Sequence, residues 1–173
     1  MEKKLLVSLI IFILICIALW FQVNFLNIFT FFDTPANLAI VFICGIGLLC
    51  GKTPGILVGT VYGILLDLLF GKSFGIYLFL YGLLGFVSGE MSRGFSKENR
   101  MSILYMVALL TIITEVVTYV VFAFIYNYTF EAYAIKKIFL ETAYNVILAR
   151  ILFKPLTLLS EIVNKCKNSY YLL

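Results

Sequence analysis

Six long apolar runs, each separated from the next by a few polar residues, leave this chain no way to build a water-soluble core. They cover residues 5–25, 36–50, 55–70, 74–89, 103–126 and 138–159. A helix needs roughly 20 apolar residues to cross the hydrocarbon of a bilayer, with a working range of about 17–25, and these runs fall near or within it. The breaks carry ordinary turn chemistry: Asp33-Thr34-Pro35, Gly51-Lys52-Thr53-Pro54-Gly55 and Gly71-Lys72-Ser73, with 92–101 as the longest polar linker. The expected fold is all-α, a single domain forming a polytopic integral membrane bundle of about six transmembrane helices. Runs two to four are short and closely connected, so they should pack as a tight antiparallel group. If one of them were re-entrant, the chain would have five spans and its C-terminus would change sides.

Composition agrees. Of 173 residues, 63% are hydrophobic and 13% charged, with mean hydropathy +1.08, far too little polar surface for a soluble domain of this size. The 17% aromatic content suits lipid-facing and interfacial positions. Orientation follows the lysines and arginines. With six spans and the N-terminus inside, the cytoplasmic side receives Lys3, Lys4, Lys52, Arg93, Lys97, Arg100, Lys154, Lys165 and Lys167. The outside receives Lys72, Lys136 and Lys137, and Arg150 stays within the last span. Nine against three places both termini in the cytoplasm. A net charge of +4 distributed this way gives no reason to expect nucleic acid as a partner.

The first run follows Met1-Glu2-Lys3-Lys4, is too long for a signal core and has no small-x-small cleavage site, so it reads as an uncleaved helix. Cys16, Cys44, Cys50 and Cys166 make no C-x-x-C spacing and histidine is absent, so no metal or cofactor is expected. Gly51-Lys52-Thr53 and Gly71-Lys72-Ser73 lack the upstream glycine of a P-loop, since Ile46 and Leu66 stand there. Asn127-Tyr128-Thr129 matches a glycosylation sequon, a pattern common by chance. No nucleophilic or paired-carboxylate constellation presents a catalytic centre, and the chain is read as not an enzyme.

The third run is the most informative. Gly55, Gly59 and Gly63 recur every fourth residue, followed at the same spacing by Asp67 and Gly71. On a helix they form a stripe without side chains, which lets a second helix come close. Gly82, Gly85 and Gly89 on the fourth run offer a complementary surface. Gly75 suggests a helix entrance needing free backbone angles or close contact. Asp67 either caps the start of the fourth helix or pairs with Lys72, or else anchors a partner or headgroup from near the outer surface. Glu115, flanked by Thr111, Thr114 and Thr118, sits near the middle of the fifth run, and Arg150 lies at a similar depth in the sixth. A Glu115–Arg150 ion pair is expected to join the last two helices, because either charge alone is expensive to bury. Glu141 and Asn145 share a face of the sixth run one turn apart and are expected to make an inward helix contact.

Residues 51–89, GKTPGILVGTVYGILLDLLFGKSFGIYLFLYGLLGFVSG, resemble the signature of the rod shape-determining protein MreD family. That pattern is a Gly-rich helix ending in Leu-Leu-x-Asp, then a Gly-x-x-x-Gly turn, then an aromatic and Leu-rich helix ending in Gly. It falls here on Leu65, Leu66, Asp67, Gly71, Gly75, Gly85 and Gly89. Outside this stretch the agreement is one of hydropathy. The resemblance implies a non-catalytic inner-membrane component of the bacterial cell-elongation complex. Its implied partners are membrane lipid, the bitopic protein MreC and, in the same complex, MreB filaments and peptidoglycan synthases. It also implies a fold similar to the substrate-binding S-components of energy-coupling-factor vitamin transporters, and that supplies an alternative function. The first helix carries only Ala18 where such subunits typically dock through Ala-x-x-x-Ala, so a small-molecule ligand is not expected.

Overall fold

A computed structural model describes residues 2–26, 36–70, 75–92, 94, 100–126 and 132–168. Breaks and motifs containing residues 33–35, 71–73 and 127–129, and most of the 92–101 linker, lie outside those residues. So do Gly71, Lys72, the sequon and the Cys166 side chain.

Among the described residues every regular element is helical. The order is α1 (Glu2–Phe21), continued by a π-helical turn over Gln22–Leu26, then α2 (Leu38–Cys50), α3 (Lys52–Phe70), α4 (Ile76–Met91), α5 (Arg100–Tyr126) and α6 (Ala132–Asn168). All six apolar runs are thus helices. Two stretches are long and apolar enough to cross a membrane by both criteria: Lys52–Leu69, at mean hydropathy 1.3, and Ile103–Ile125, at 2.2. Leu9–Asn24, Leu38–Cys50 and Ile76–Met91 are shorter apolar helices.

Local chemistry sets the boundaries. Asn37 caps α2, its side chain accepting from the Ile40 N–H at 3.4 Å. At the far end Gly51 takes φ 96° and its N–H returns to the Gly47 carbonyl at 2.9 Å, a left-handed turn that suits glycine. α3 begins three residues before its apolar run, at Lys52 rather than Gly55. Pro54 sits in its first turn, where the missing N–H has no intrahelical acceptor to lose. α6 outruns its apolar run at both ends and carries Pro155 inside it.

The helices are arranged around α2. All thirteen of its residues are buried, and it touches each of the other five helices. At about 1.5 Å per residue it is about 20 Å long, well short of a hydrocarbon core of about 30 Å. Helices, not lipid, solvate it. α3 and α4 form the closest pair, α5 pairs with α6, and α1 lies against α2, α3 and α6 through Ile15, Ala18 and Leu19. The opposite side of α1, from Leu9 through Ile13 to Trp20, is exposed and apolar, as a lipid-facing side should be.

Candidate functional site

The glycine stripe forms a seam of backbone on backbone. A Cβ placed on Gly55 would come 2.5 Å from the Gly85 carbonyl oxygen, and one on Gly63 would come 2.5 Å from that of Tyr77. On Gly59 it would collide with the Tyr81 carbonyl, on Gly85 with Gly55, and on Gly89 with Lys52. Side chains at any of these places would push the helices apart. A third helix, α2, joins the seam at its Lys52 end, where Gly47 meets Ser88 of α4. Gly82 is looser, with only the Thr60 methyl nearby at 3.3 Å.

Asp67 closes the other end of this seam. It is 4% exposed, and its two oxygens accept from three backbone N–H groups at the start of α4: Gly75 at 3.0 Å, Tyr77 at 3.1 Å and Leu78 at 3.0 Å. Those N–H groups have no intrahelical acceptor, and a carboxylate there also meets the positive end of the helix dipole. Gly75 adopts φ 105°, so free backbone angles, not close packing, explain its glycine; nothing lies within 4 Å of a Cβ built there. Of the alternatives for Asp67, the cap is what the geometry displays. The carboxylate is turned into the hairpin and does not present itself to a partner.

A second polar cluster lies around the start of α2, and only part of it was legible in the sequence. The Asn37 N–H donates to Asn145 Oδ1 at 2.8 Å, and the Asn37 amide donates to the Tyr81 hydroxyl at 3.2 Å. Asn145, fully buried, donates in turn to Thr111 Oγ1 at 3.4 Å. Gln22, in the π-helical turn, accepts from the Ala39 N–H and from the Tyr62 hydroxyl, both at 3.2 Å. Of the orphan donors of a helix that starts inside the bundle, the Asn37 N–H is thereby met from α6 and the Ala39 N–H from the turn that continues α1, while Tyr81 of α4 holds the capping Asn37 side chain. Tyr77 stacks on Tyr81 and tilts against Phe122, carrying contact from α4 to α5. The inward contact expected of Asn145 is present. Gln22, Asn37, Tyr62 and Tyr81 were missed. Asn37 was detectable, since Asn immediately before an apolar run is a helix-start signal.

Glu115 does not pair with Arg150, contrary to expectation. The carboxyl groups of Glu115 and Glu141 lie within hydrogen-bonding reach of each other, with the Lys137 ammonium close enough to act on both and Asn37 within reach of Glu141. Arg150 is exposed, and the one ion pair found among the described residues joins Lys52 to Glu90 at 3.4 Å. Helix phase explains the difference. Glu141, Asn145 and Ala149 follow one another at single-turn spacing and are all buried. Arg150 lies two and a half turns beyond Glu141 at about 3.6 residues per turn, which puts it on the opposite side. Depth fails as well: nine residues along α6 carry Arg150 about 13.5 Å beyond the level at which Glu141 meets Glu115.

No curated protein and no solved structure matches the chain. The rod shape-determining protein MreD family does, over residues 2–162, a match that takes in five helices and most of the sixth and extends far beyond the glycine-rich stretch. The chain therefore belongs to the MreD family of rod shape-determining membrane proteins.

Proposed function

We propose that the chain is a non-catalytic scaffold of the bacterial cell-elongation machinery, crossing the plasma membrane six times with both termini in the cytoplasm. In this reading it binds MreC and, through MreC, works with MreB filaments and peptidoglycan synthases. The family match over nearly the whole chain carries the proposal. Two features support it. The uneven distribution of lysine and arginine favours cytoplasmic termini. The buried polar groups described above are largely used in joining helices to one another, as befits a body that presents fixed surfaces. An S-component-like arrangement of the helices belongs to the same proposal and rests on family resemblance; no observation favours the transporter-subunit alternative.

The close-packed α3–α4 hairpin would hold its outward faces in register for a partner, with Asp67 acting through the hairpin's geometry. Replacing the chromosomal copy with Gly63→Leu should give rounded cells and reduced co-purification of MreC while the protein still reaches the membrane. Rod-shaped cells with undiminished MreC recovery would count against the role given to the hairpin. If a deletion strain also kept its rod shape, the scaffold reading would fail as a whole. A fluorescent protein fused after Leu173 should fold and emit in the cytoplasm; a dark fusion would overturn the assigned topology.

A further inference from the structure

At the loop end of the α5–α6 hairpin the two helices do not meet fully. Ala123 of α5 and Ala134 of α6 stand where larger side chains would close the gap, and the space left is an apolar groove of about 280 Å³. Its α5 wall follows one helix face, with Val116, Val120 and Phe124 at single-turn spacing. From Val116 to Phe124 that wall is about 12 Å long, so the groove averages about 23 Å² in cross-section. Val120 and Phe124 are exposed, and the groove opens sideways between the helices. Its mouth lies two residues from the ends of both helices, Tyr126 and Ala132. Its deep end, at Val116, is next to Glu115.

We propose that this groove binds one anionic phospholipid of the outer leaflet, with an acyl chain along α5 and the phosphate at Lys136. Length, width and charge select that occupant. One leaflet of a hydrocarbon core of about 30 Å is about 15 Å deep, and the groove runs about 12 Å inward from the end of the hairpin, most of the depth of an acyl chain. A protein helix is about 10 Å across and needs a section of about 80 Å², several times what the groove has. A stable protein interface also takes about 20–30 residues a side, where the groove offers eight. Lys136, exposed, follows Ile135 of the groove wall, and Lys137 lies next to it. Side chains on a helix lean toward its N-terminus, which on α6 is the mouth of the groove. That carries the Lys136 ammonium toward the headgroup level, with its stem along apolar surface. No exposed carboxylate among the described residues in the outer halves of α5 and α6 opposes a phosphate there: Glu115 is partly buried and Glu141 fully. The inference rests on the membrane embedding proposed above and adds a lipid of defined place and charge to it.

Native mass spectrometry tests it. The full chain is reconstituted in vesicles of equal dioleoyl-phosphatidylglycerol and dioleoyl-phosphatidylcholine, re-extracted in mild detergent and weighed. The parent should retain one phosphatidylglycerol per chain, preferred about fivefold over phosphatidylcholine, and Lys136→Gln should remove most of that preference. Ala123→Phe fills the groove and should lose the lipid, while Ile147→Phe, at an exposed position of α6 outside the groove, should keep it. Val120→Trp blocks the groove from its exposed side should Ala123→Phe not fold. Equal retention by the groove variants and the Ile147 control would put the lipid elsewhere and overturn the proposal. A lipid-free dimer that the groove variants break up would mean that a second copy covers the groove, and would equally overturn it. An embedded parent that retains no lipid would defeat the lipid site alone. Release of the parent from the vesicles by alkaline carbonate would instead defeat the embedding itself, and the lipid site with it.

Discussion

Between α3 and α4 the two backbones touch, whereas side chains separate α5 from α6 and polar groups join them. Acyl chains are as apolar as leucine, so burying an apolar helix face against another helix gains little in lipid. Association there depends on close van der Waals contact and on hydrogen bonds. The α3–α4 hairpin uses the first, with Gly55, Gly59, Gly63 and Gly85 set against carbonyls and Cα atoms. The α5–α6 pair uses the second, through the Asn145 amide on Thr111, with the Glu115 and Glu141 carboxyl groups close to each other across the same interface. The first tolerates no added atom at its contacts, while the second can exchange one hydrogen-bonding group for another. Substitutions should therefore separate the two regions by size of effect.

The largest effect is expected at Gly59. A leucine there meets the Tyr81 carbonyl, a backbone atom that cannot rotate away. Overpacking of a side chain costs about 1–3 kcal/mol, and a clash with backbone belongs at or above the top of that range. Gly59→Leu should remove most of the folded, monodisperse protein in a detergent melting series. Gly82→Ala, at the loose point of the same helix pair, should melt within about a degree or two of the parent, on the order of a neutral surface change. Equal behaviour of the two would show that the seam is not held by backbone contact.

Asp67 comes next. Asp67→Ala leaves three N–H groups at the start of α4 without their acceptor, a loss of about 2 kcal/mol by comparison with helix caps in water and more if lipid replaces the carboxylate. Asp67→Asn keeps an acceptor and should recover about half of the loss. Faster amide exchange confined to the first turn of α4 would identify the cap as the cause. Uniform exchange throughout the hairpin would contradict it.

The hairpin was legible from the sequence for a physical reason. A glycine repeat at helical spacing admits one close-packed geometry, and an acid one turn farther on is where the next helix begins. The contacts around α2 were less legible because they join residues distant in sequence, such as Gln22 to Tyr62 and Asn37 to Asn145. Hydropathy shows that α2 is apolar. It cannot show that α2 is enclosed on every side by other helices, which leaves its first N–H groups needing acceptors from α6 and from the turn that continues α1.

Asn145 tests that enclosure, with a smaller expected effect. Asn145→Leu removes the acceptor for the Asn37 N–H and a donor to Thr111, leaving buried polar groups unmet at about 1–3 kcal/mol. Asn145→Gln or Asn145→Asp should lose less than Asn145→Leu. A leucine variant as stable as the parent would show that lipid or water satisfies the start of α2.

The smallest effect is expected at Arg150, which sharpens the account of the α5–α6 pair. An exposed side chain that forms no ion pair among the described residues should change stability by under about 0.5 kcal/mol when replaced by glutamine. In a double-mutant cycle, Arg150→Gln and Glu115→Gln should add to within about 0.3–0.5 kcal/mol. Glu115→Gln with Glu141→Gln should depart from additivity by more, with about 0.6 kcal/mol typical of hydrogen bonds between membrane helices. Helix phase and depth both make this distinction, since Arg150 lies nine residues, about 13.5 Å, beyond Glu141 along α6 and on its opposite side. A coupling of Glu115 to Arg150 exceeding its coupling to Glu141 would require α6 to be rotated by about half a turn and shifted by about 13.5 Å along its axis, and Asn145 and Ala149 would then leave their places in the interior with it.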